Sequence, residues 1–163
     1  TNLIGRIRRE RLVRLRRADA WATAAGARRV ETLDELLKVS DFVSVHCPLT
    51  PETHDLIGEK KIKSMKDCAY LVNTARGGIV NEPALLAALD AGWIQGAALD
   101  VLGVEPPNQD NQLLNHEKVI LTPHTAANTD EAMSSMAVMA AEVILKVFNG
   151  EPPLNVINPE IYL

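Results

Sequence analysis

Residues 69–91 read AYLVNTARGGIVNEPALLAALDA, and this stretch decides the fold. Ala69–Asn73 is nearly all apolar, the pattern of a strand buried on both faces. Thr74, Ala75 and Arg76 follow it. Gly77-Gly78 then lets the backbone turn tightly and leaves room beside Arg76 for a ligand. Asn81 can cap a helix running from Glu82 to Ala91, with Pro83 in the first turn and Gly92 just past the end. A buried strand, a polar turn and a capped helix, in that order, form one unit of an α/β fold.

The alternation extends to both sides. Thr32 and Glu35 have capping-box spacing ahead of Leu33, Leu36 and Leu37, so a helix starts near Thr32. Asp41–His46 is a β-branched run that ends at Cys47-Pro48, which reads as a strand. Residues 58–65 read as a short helix, with Ile62 and Met65 three apart. Gln95–Val101 and Lys118–Thr122 are two further strands. Thr129 caps a long helix to about Phe148, closed by Asn149-Gly150 and then Pro152-Pro153. Helices of about ten residues between apolar strands predict an α/β, Rossmann-like doubly wound parallel sheet with helices on both faces.

Composition narrows the function. The chain has 163 residues, 47% of them apolar, which suits one domain with a real core. No apolar run reaches the roughly 18 residues needed to cross a bilayer, so no membrane role is expected. Cys47 and Cys68 sit in no metal-type pair and cannot frame a small domain, so a reducing, cytoplasmic setting is the default. No cluster of residues suggests a metal. Seven arginines and one glutamate crowd residues 1–17, while the net charge of the whole chain is −4. The body is therefore acidic. A nucleic-acid protein is usually basic over a whole face, and the arginine run lacks interleaved aromatics for stacking. A solvated helix is the reading favoured for that run, and no nucleic-acid partner is expected.

In open parallel sheets ligands bind at the carboxyl ends of the strands. Those ends here carry His46-Cys47-Pro48, then Thr74-Ala75-Arg76, then Asp100 with Glu105 five residues on, then Thr122-Pro123-His124. A lone loop histidine is ordinarily structural, and Cys47 has no base supplied by motif. An arginine, two carboxylates and a histidine on one sheet edge suit hydride transfer to and from a 2-hydroxy acid. A guanidinium can clamp a carboxylate through two parallel hydrogen bonds. A histidine can take the hydroxyl proton, and a carboxylate beside it fixes its tautomer and favours its protonated form.

Four ordered segments carry a resemblance: Asp41–Thr50 (DFVSVHCPLT), Tyr70–Val80 (YLVNTARGGIV), Gly96–Pro106 (GAALDVLGVEP) and Ile120–Ala126 (ILTPHTA). From about Gly26 to Asn158 the chain resembles the cofactor-binding domain of the D-isomer-specific 2-hydroxyacid dehydrogenases, a family that includes phosphoglycerate, glyoxylate/hydroxypyruvate and D-lactate dehydrogenases, with the phosphoglycerate-dehydrogenase-like members slightly favoured. The resemblance implies NAD as cofactor and a small 2-hydroxy or 2-keto acid as substrate. It implies Arg76 as anchor of the substrate carboxylate, Glu105 as the histidine's partner and His124 as general acid/base. It also implies Gly5, Cys47, Pro48, Thr74, Ala75, Asp100, His124 and Ala126 as cofactor-binding residues, and a homodimer.

The front of the chain departs from that pattern. The family's dinucleotide site is a strand, then G-x-G-x-x-G opening a helix. Leu3–Arg8 aligns with that loop, with only Gly5 kept and with Leu3 and Arg8 where the outer glycines would stand. The resulting division is residues 1–25 as a degenerate remnant of the glycine-loop region, 26–150 as the NAD-binding domain, and 151–163 as a tail leading toward a substrate domain. Family members are roughly twice this long, so the expectation is a partial chain. Two rivals to the enzyme follow: a non-catalytic module that senses NAD or binds a protein, and a fragment whose unpaired sheet edge prevents folding.

Overall fold

The computed structural model describes residues 3–7, 10–14, 26–153 and 155–162. Among the described residues seven strands form one sheet: β1 (Leu3–Ile7), β2 (Glu10–Arg14), β3 (Ala27–Arg29), β4 (Phe42–Val45), β5 (Tyr70–Asn73), β6 (Gly96–Leu99) and β7 (Val119–Leu121). Their spatial order is β3-β2-β1-β4-β5-β6-β7. The helices are α1 (Leu33–Val39), α2 (Glu59–Ile62), α3 (Glu82–Asp90) and α4 (Asp130–Phe148).

Strands β4 to β7 run parallel, as the alternation predicts. Val45, Asn73, Leu99 and Leu121 are partners in one row across the sheet. That row brings the four carboxyl ends level, so the turns that leave them share one edge. Along β4 and β5 the residues Val43, Val45, Leu71 and Asn73 are buried. The helices bury Leu36, Leu37, Ile62, Leu85 and Leu89 in the same core. On the opposite face Phe42 and Tyr70 stack with ring centroids 5.3 Å apart and remain exposed.

The helix starts follow the sequence. The Thr32 hydroxyl accepts the Glu35 N–H at 3.1 Å, and the Asn81 side chain accepts the Ala84 N–H at 2.9 Å. Each satisfies an amide that the first turn leaves unpaired. The helix expected over 58–65 is shorter, Glu59–Ile62. Its Lys63 lies over the Trp93 ring instead, 4.1 Å from the centroid.

The front of the chain corrects the sequence reading. Gly5 was expected in a phosphate-binding loop that opens a helix. It lies inside strand β1, with Leu12 on one side and Val43 on the other. Part of the arginine run, expected as a solvated helix, is strand β2. β1 is antiparallel to both neighbours, so it also departs from the parallel pattern. For the β1–β2 pair the reason is local: Ile7 faces Glu10, and strands separated by so few residues in sequence can pair only antiparallel. Leu3, Ile4, Ile7, Leu12 and Val13 supply β-forming residues to both arms. Residues 15–25, the remainder of that first segment, lie outside the described residues.

The chain forms two compact units, Thr1–His124 and Thr125–Leu163. The second contains α4, where the Thr129 hydroxyl accepts the Ala132 N–H at 3.1 Å.

Candidate active site

The turn after β5 is built on Asn73. Its side chain is 1% exposed. Its carbonyl oxygen accepts the Ala75 N–H at 3.1 Å, and its amide donates to the Arg76 carbonyl at 2.9 Å. A buried amide with both ends used holds the 74–76 turn in one shape. Arg76 is exposed, and its guanidinium donates to the Ala75 carbonyl at 2.6 Å. Thr74, Ala75 and Arg76 form one wall of a cleft of about 550 Å³, with Cys47 and Pro48 on the other. Burial pushes the Cys47 thiol above its ordinary range. The thiol therefore stays protonated and lines the cleft rather than acting as a nucleophile.

A second cleft, of about 390 Å³, is lined by Asp100, Glu105, Thr122 and His124 among others. Glu105 Oε2 lies 2.7 Å from His124 Nδ1, and Glu105 Oε1 accepts the Leu102 N–H at 2.9 Å. The bond from His124 first, and the Leu102 N–H second, hold the Glu105 carboxyl below the usual range. Both side chains remain partly open to solvent, 48% and 37% exposed, so screening keeps the ion pair modest. With Nδ1 committed to Glu105, Nε2 is the ring nitrogen left for proton exchange.

His124 has φ 54, in the left-handed region that side chains rarely enter. Such a residue costs on the order of 1 kcal/mol or more and persists where its surroundings enforce it. Here its N–H is held by the Thr122 carbonyl at 3.0 Å. The Thr122 hydroxyl also donates to Asp100, a carboxylate only 4% exposed.

One contact joins the two clefts. A Cβ placed on Gly77 would lie 1.9 Å from the Leu102 carbonyl oxygen and 2.5 Å from the Gly103 nitrogen. The Arg76 turn and the loop that carries Glu105 are therefore in backbone contact. Only glycine allows that approach.

The expected site residues thus divide into groups. Cys47, Pro48, Thr74, Ala75 and Arg76 share the first cleft, while Asp100, Glu105 and His124 share the second. Gly5 pairs with mid-strand Val43 and is not at the carboxyl edge. Ala126 belongs to the second unit. Sequence reasoning did not single out Asn73, Thr122 or Glu82. Only the first two left a sequence signal, a polar residue ending an apolar strand. Among the described residues no group of three histidines, cysteines or acids is placed to hold a metal.

The first cleft takes its lining from the turns after β4 and β5. It opens at the strand ends, and Thr74 and Ala75 present short side chains and backbone to it. No glycine loop opening a helix is found among the described residues to receive the pyrophosphate.

A family model described as D-isomer specific 2-hydroxyacid dehydrogenase, NAD binding domain, matches residues 12–126. A glyoxylate reductase of Korarchaeum cryptofilum is 49% identical over 129 residues, which are 79% of this chain and 39% of that protein. A D-3-phosphoglycerate dehydrogenase of Methanocaldococcus jannaschii is 47% identical over 137 residues, 84% of this chain and 26% of that protein. The chain therefore spans less than half the length of the curated relatives it matches. Among solved structures, a D-lactate dehydrogenase of Treponema pallidum superposes with a TM-score of 0.79 at 37% identity, over 88% of this chain and 46% of that one. The NAD-complexed D-isomer specific 2-hydroxyacid dehydrogenase of Lactobacillus delbrueckii ssp. bulgaricus gives a TM-score of 0.79 at 31% identity, over 90% of this chain and 48% of that one.

Proposed function

Because the chain belongs to the D-isomer-specific 2-hydroxyacid dehydrogenase family, matching its NAD-binding domain, we propose that it serves an NAD-dependent oxidoreductase acting at the C2 of a small D-2-hydroxy acid or its 2-keto partner. The observation that carries this reading is the Glu105–His124 pair, 2.7 Å apart on the carboxyl edge of a parallel sheet. Residues 26–150 are the NAD-binding domain in this account. Cys47, Pro48, Thr74 and Ala75 would hold the nicotinamide end of NAD, with Asp100 and His124 beside it. NAD, when bound there, supplies the hydride acceptor, or the donor in the reverse direction.

The remaining work falls to this chain's own side chains. Arg76 orients the substrate by its carboxylate, for which its guanidinium exchanges its bond to the Ala75 carbonyl. His124 Nε2 takes the hydroxyl proton in oxidation and returns it in reduction. Glu105, already charged and bonded at Nδ1, stabilises the imidazolium that results. The short Gly77–Leu102 approach keeps the anchor and the proton site at one spacing.

The substrates favoured are glyoxylate or hydroxypyruvate and 3-phosphoglycerate, since glyoxylate reductases and D-3-phosphoglycerate dehydrogenases are the relatives. The reading carries with it a cytoplasmic homodimer that engages neither nucleic acid nor membrane. No helix among the described residues is long and apolar enough to cross a membrane. The test is loss of NADH absorbance on addition of glyoxylate, and its gain from NAD and 3-phosphoglycerate. Turnover of either pair supports the dehydrogenase. NADH binding with no turnover of any 2-keto acid instead favours a non-catalytic NAD-sensing or protein-binding module. The position of Gly5 inside a strand rather than in a phosphate-binding loop favours the protein-binding form of that second reading.

A further inference from the structure

Glu82 opens α3, yet its carboxylate serves a different segment. Oε1 accepts the Gly103 N–H at 2.5 Å, and Oε2 accepts the Asn111 side-chain amide at 3.1 Å. The helix does not need it as a cap. Asn81 already takes the Ala84 N–H and is itself tied to Asp55 at 3.0 Å. An acid in the first turn is mildly favourable in any helix, but that requires no particular reach. The reach here spans 21 residues.

The segment it holds is the one that carries Glu105. Gly103 N–H goes to Glu82, and the neighbouring Leu102 N–H goes to Glu105. Consecutive amides of one turn thus serve two carboxylates. The fit is close on both sides. A Cβ on Gly103 would lie 3.2 Å from Glu82 Oε1, and Leu102 is pressed against Gly77.

We infer that Glu82 is a positioning residue for the proton-handling pair, tying the 102–105 turn to the N-terminus of α3 so that Glu105 meets His124. The inference rests on the proton role given to that pair under the proposed function. When Glu82 lets go, Gly103 loses a charge-assisted bond, the Leu102 N–H swings, and Glu105 loses its second partner. The other ionisable groups around Glu105 are His124 at the end of β7 and Asp100 at the end of β6.

The test is nuclear magnetic resonance on the full chain, with carbon-13 at the glutamate carboxyls. In Glu82→Ala the Glu105 titration midpoint is expected to rise toward the ordinary carboxylate value. Exchange of the Gly103 amide is expected to quicken roughly tenfold, the order that losing one hydrogen bond to a charged group allows. Glu82→Gln keeps an acceptor for Gly103 and is expected to restore most of both signals. Glu82→Asp keeps the charge at the helix terminus but draws the oxygens back by one methylene. It therefore reads the same contact even where Glu82→Ala fails to fold. An unmoved Glu105 midpoint and unmoved Gly103 exchange in Glu82→Asp overturn the inference. Neither readout needs turnover, so a failed dehydrogenase assay is a separate result.

Discussion

The substitution His124→Asn is expected to lower NADH-dependent reduction of a 2-keto acid by about 10²–10⁴-fold, the range for removing a general acid/base. Asparagine is the informative choice. It tolerates the left-handed region better than most side chains, so φ 54 at residue 124 need not change. Its amide can still donate toward Glu105, which sits 2.7 Å from the native ring. What it lacks is a ring nitrogen able to take up and return the proton. The loss should fall on kcat, with KM for the keto acid and affinity for NADH little changed. That pattern marks an interaction made in the transition state rather than in binding. Steady-state kinetics and a binding titration on the same preparation check it. Full turnover in the variant would remove His124 from the mechanism.

Gly77→Ala is expected to damage both stability and activity. The added Cβ would lie 1.9 Å from the Leu102 oxygen and 2.1 Å from its carbonyl carbon. Both are backbone atoms of a loop held by Glu82 and Glu105, so they cannot simply rotate away. Forcing an atom into such a contact costs about 2–3 kcal/mol. At this chain length that corresponds to a Tm lowered by roughly 5–10 °C. The same shift moves the Arg76 turn away from the Glu105–His124 pair, and a misplacement of about 1 Å can cost on the order of 10²-fold in rate. Gly58→Ala is the control. Its nearest neighbour would be the Asp55 carbonyl oxygen at 3.5 Å, an ordinary contact. The weaker cap there costs no more than about 1 kcal/mol. Thermal melts of the two variants side by side separate the two cases, and a Gly77→Ala melt that matches the parent would contradict the contact.

The sequence made β4 to β7 and their helices legible for physical reasons. β4 and β5 read as apolar runs although only one face is buried, with Val43, Val45 and Leu71 in the core and Phe42 and Tyr70 exposed, and Thr32, Asn81 and Thr129 announce helix starts with side-chain oxygens that then accept the expected amides. The chemistry-bearing residues were legible because a parallel sheet delivers its strand ends to one edge. Glu105 beside His124 followed from that placement and from family resemblance, and the structure brings the two into contact. The front was misread because a single glycine was weighed as part of a loop motif. The apolar residues around it, Leu3, Ile4 and Ile7, favour a strand, and pairing with Glu10–Arg14 makes one. The hold of Glu82 on Gly103 was not legible at all. It links residues 21 apart through a carboxylate that, in sequence, is only a favourable first-turn acid. Asn73 was visible as the end of a strand, but its double bond to the following turn depends on burial, which spacing does not report.

An NAD-dependent role requires that this chain bind the cofactor with its open strand-end cleft and with Gly5 built into a strand. Calorimetric titration with NADH measures it. A saturable heat with a Kd in the micromolar range is expected. A chain that melts cooperatively and yet gives no heat with NADH would contradict it, and would leave Arg76, Asp100, Glu105 and His124 as marks of ancestry rather than of present function.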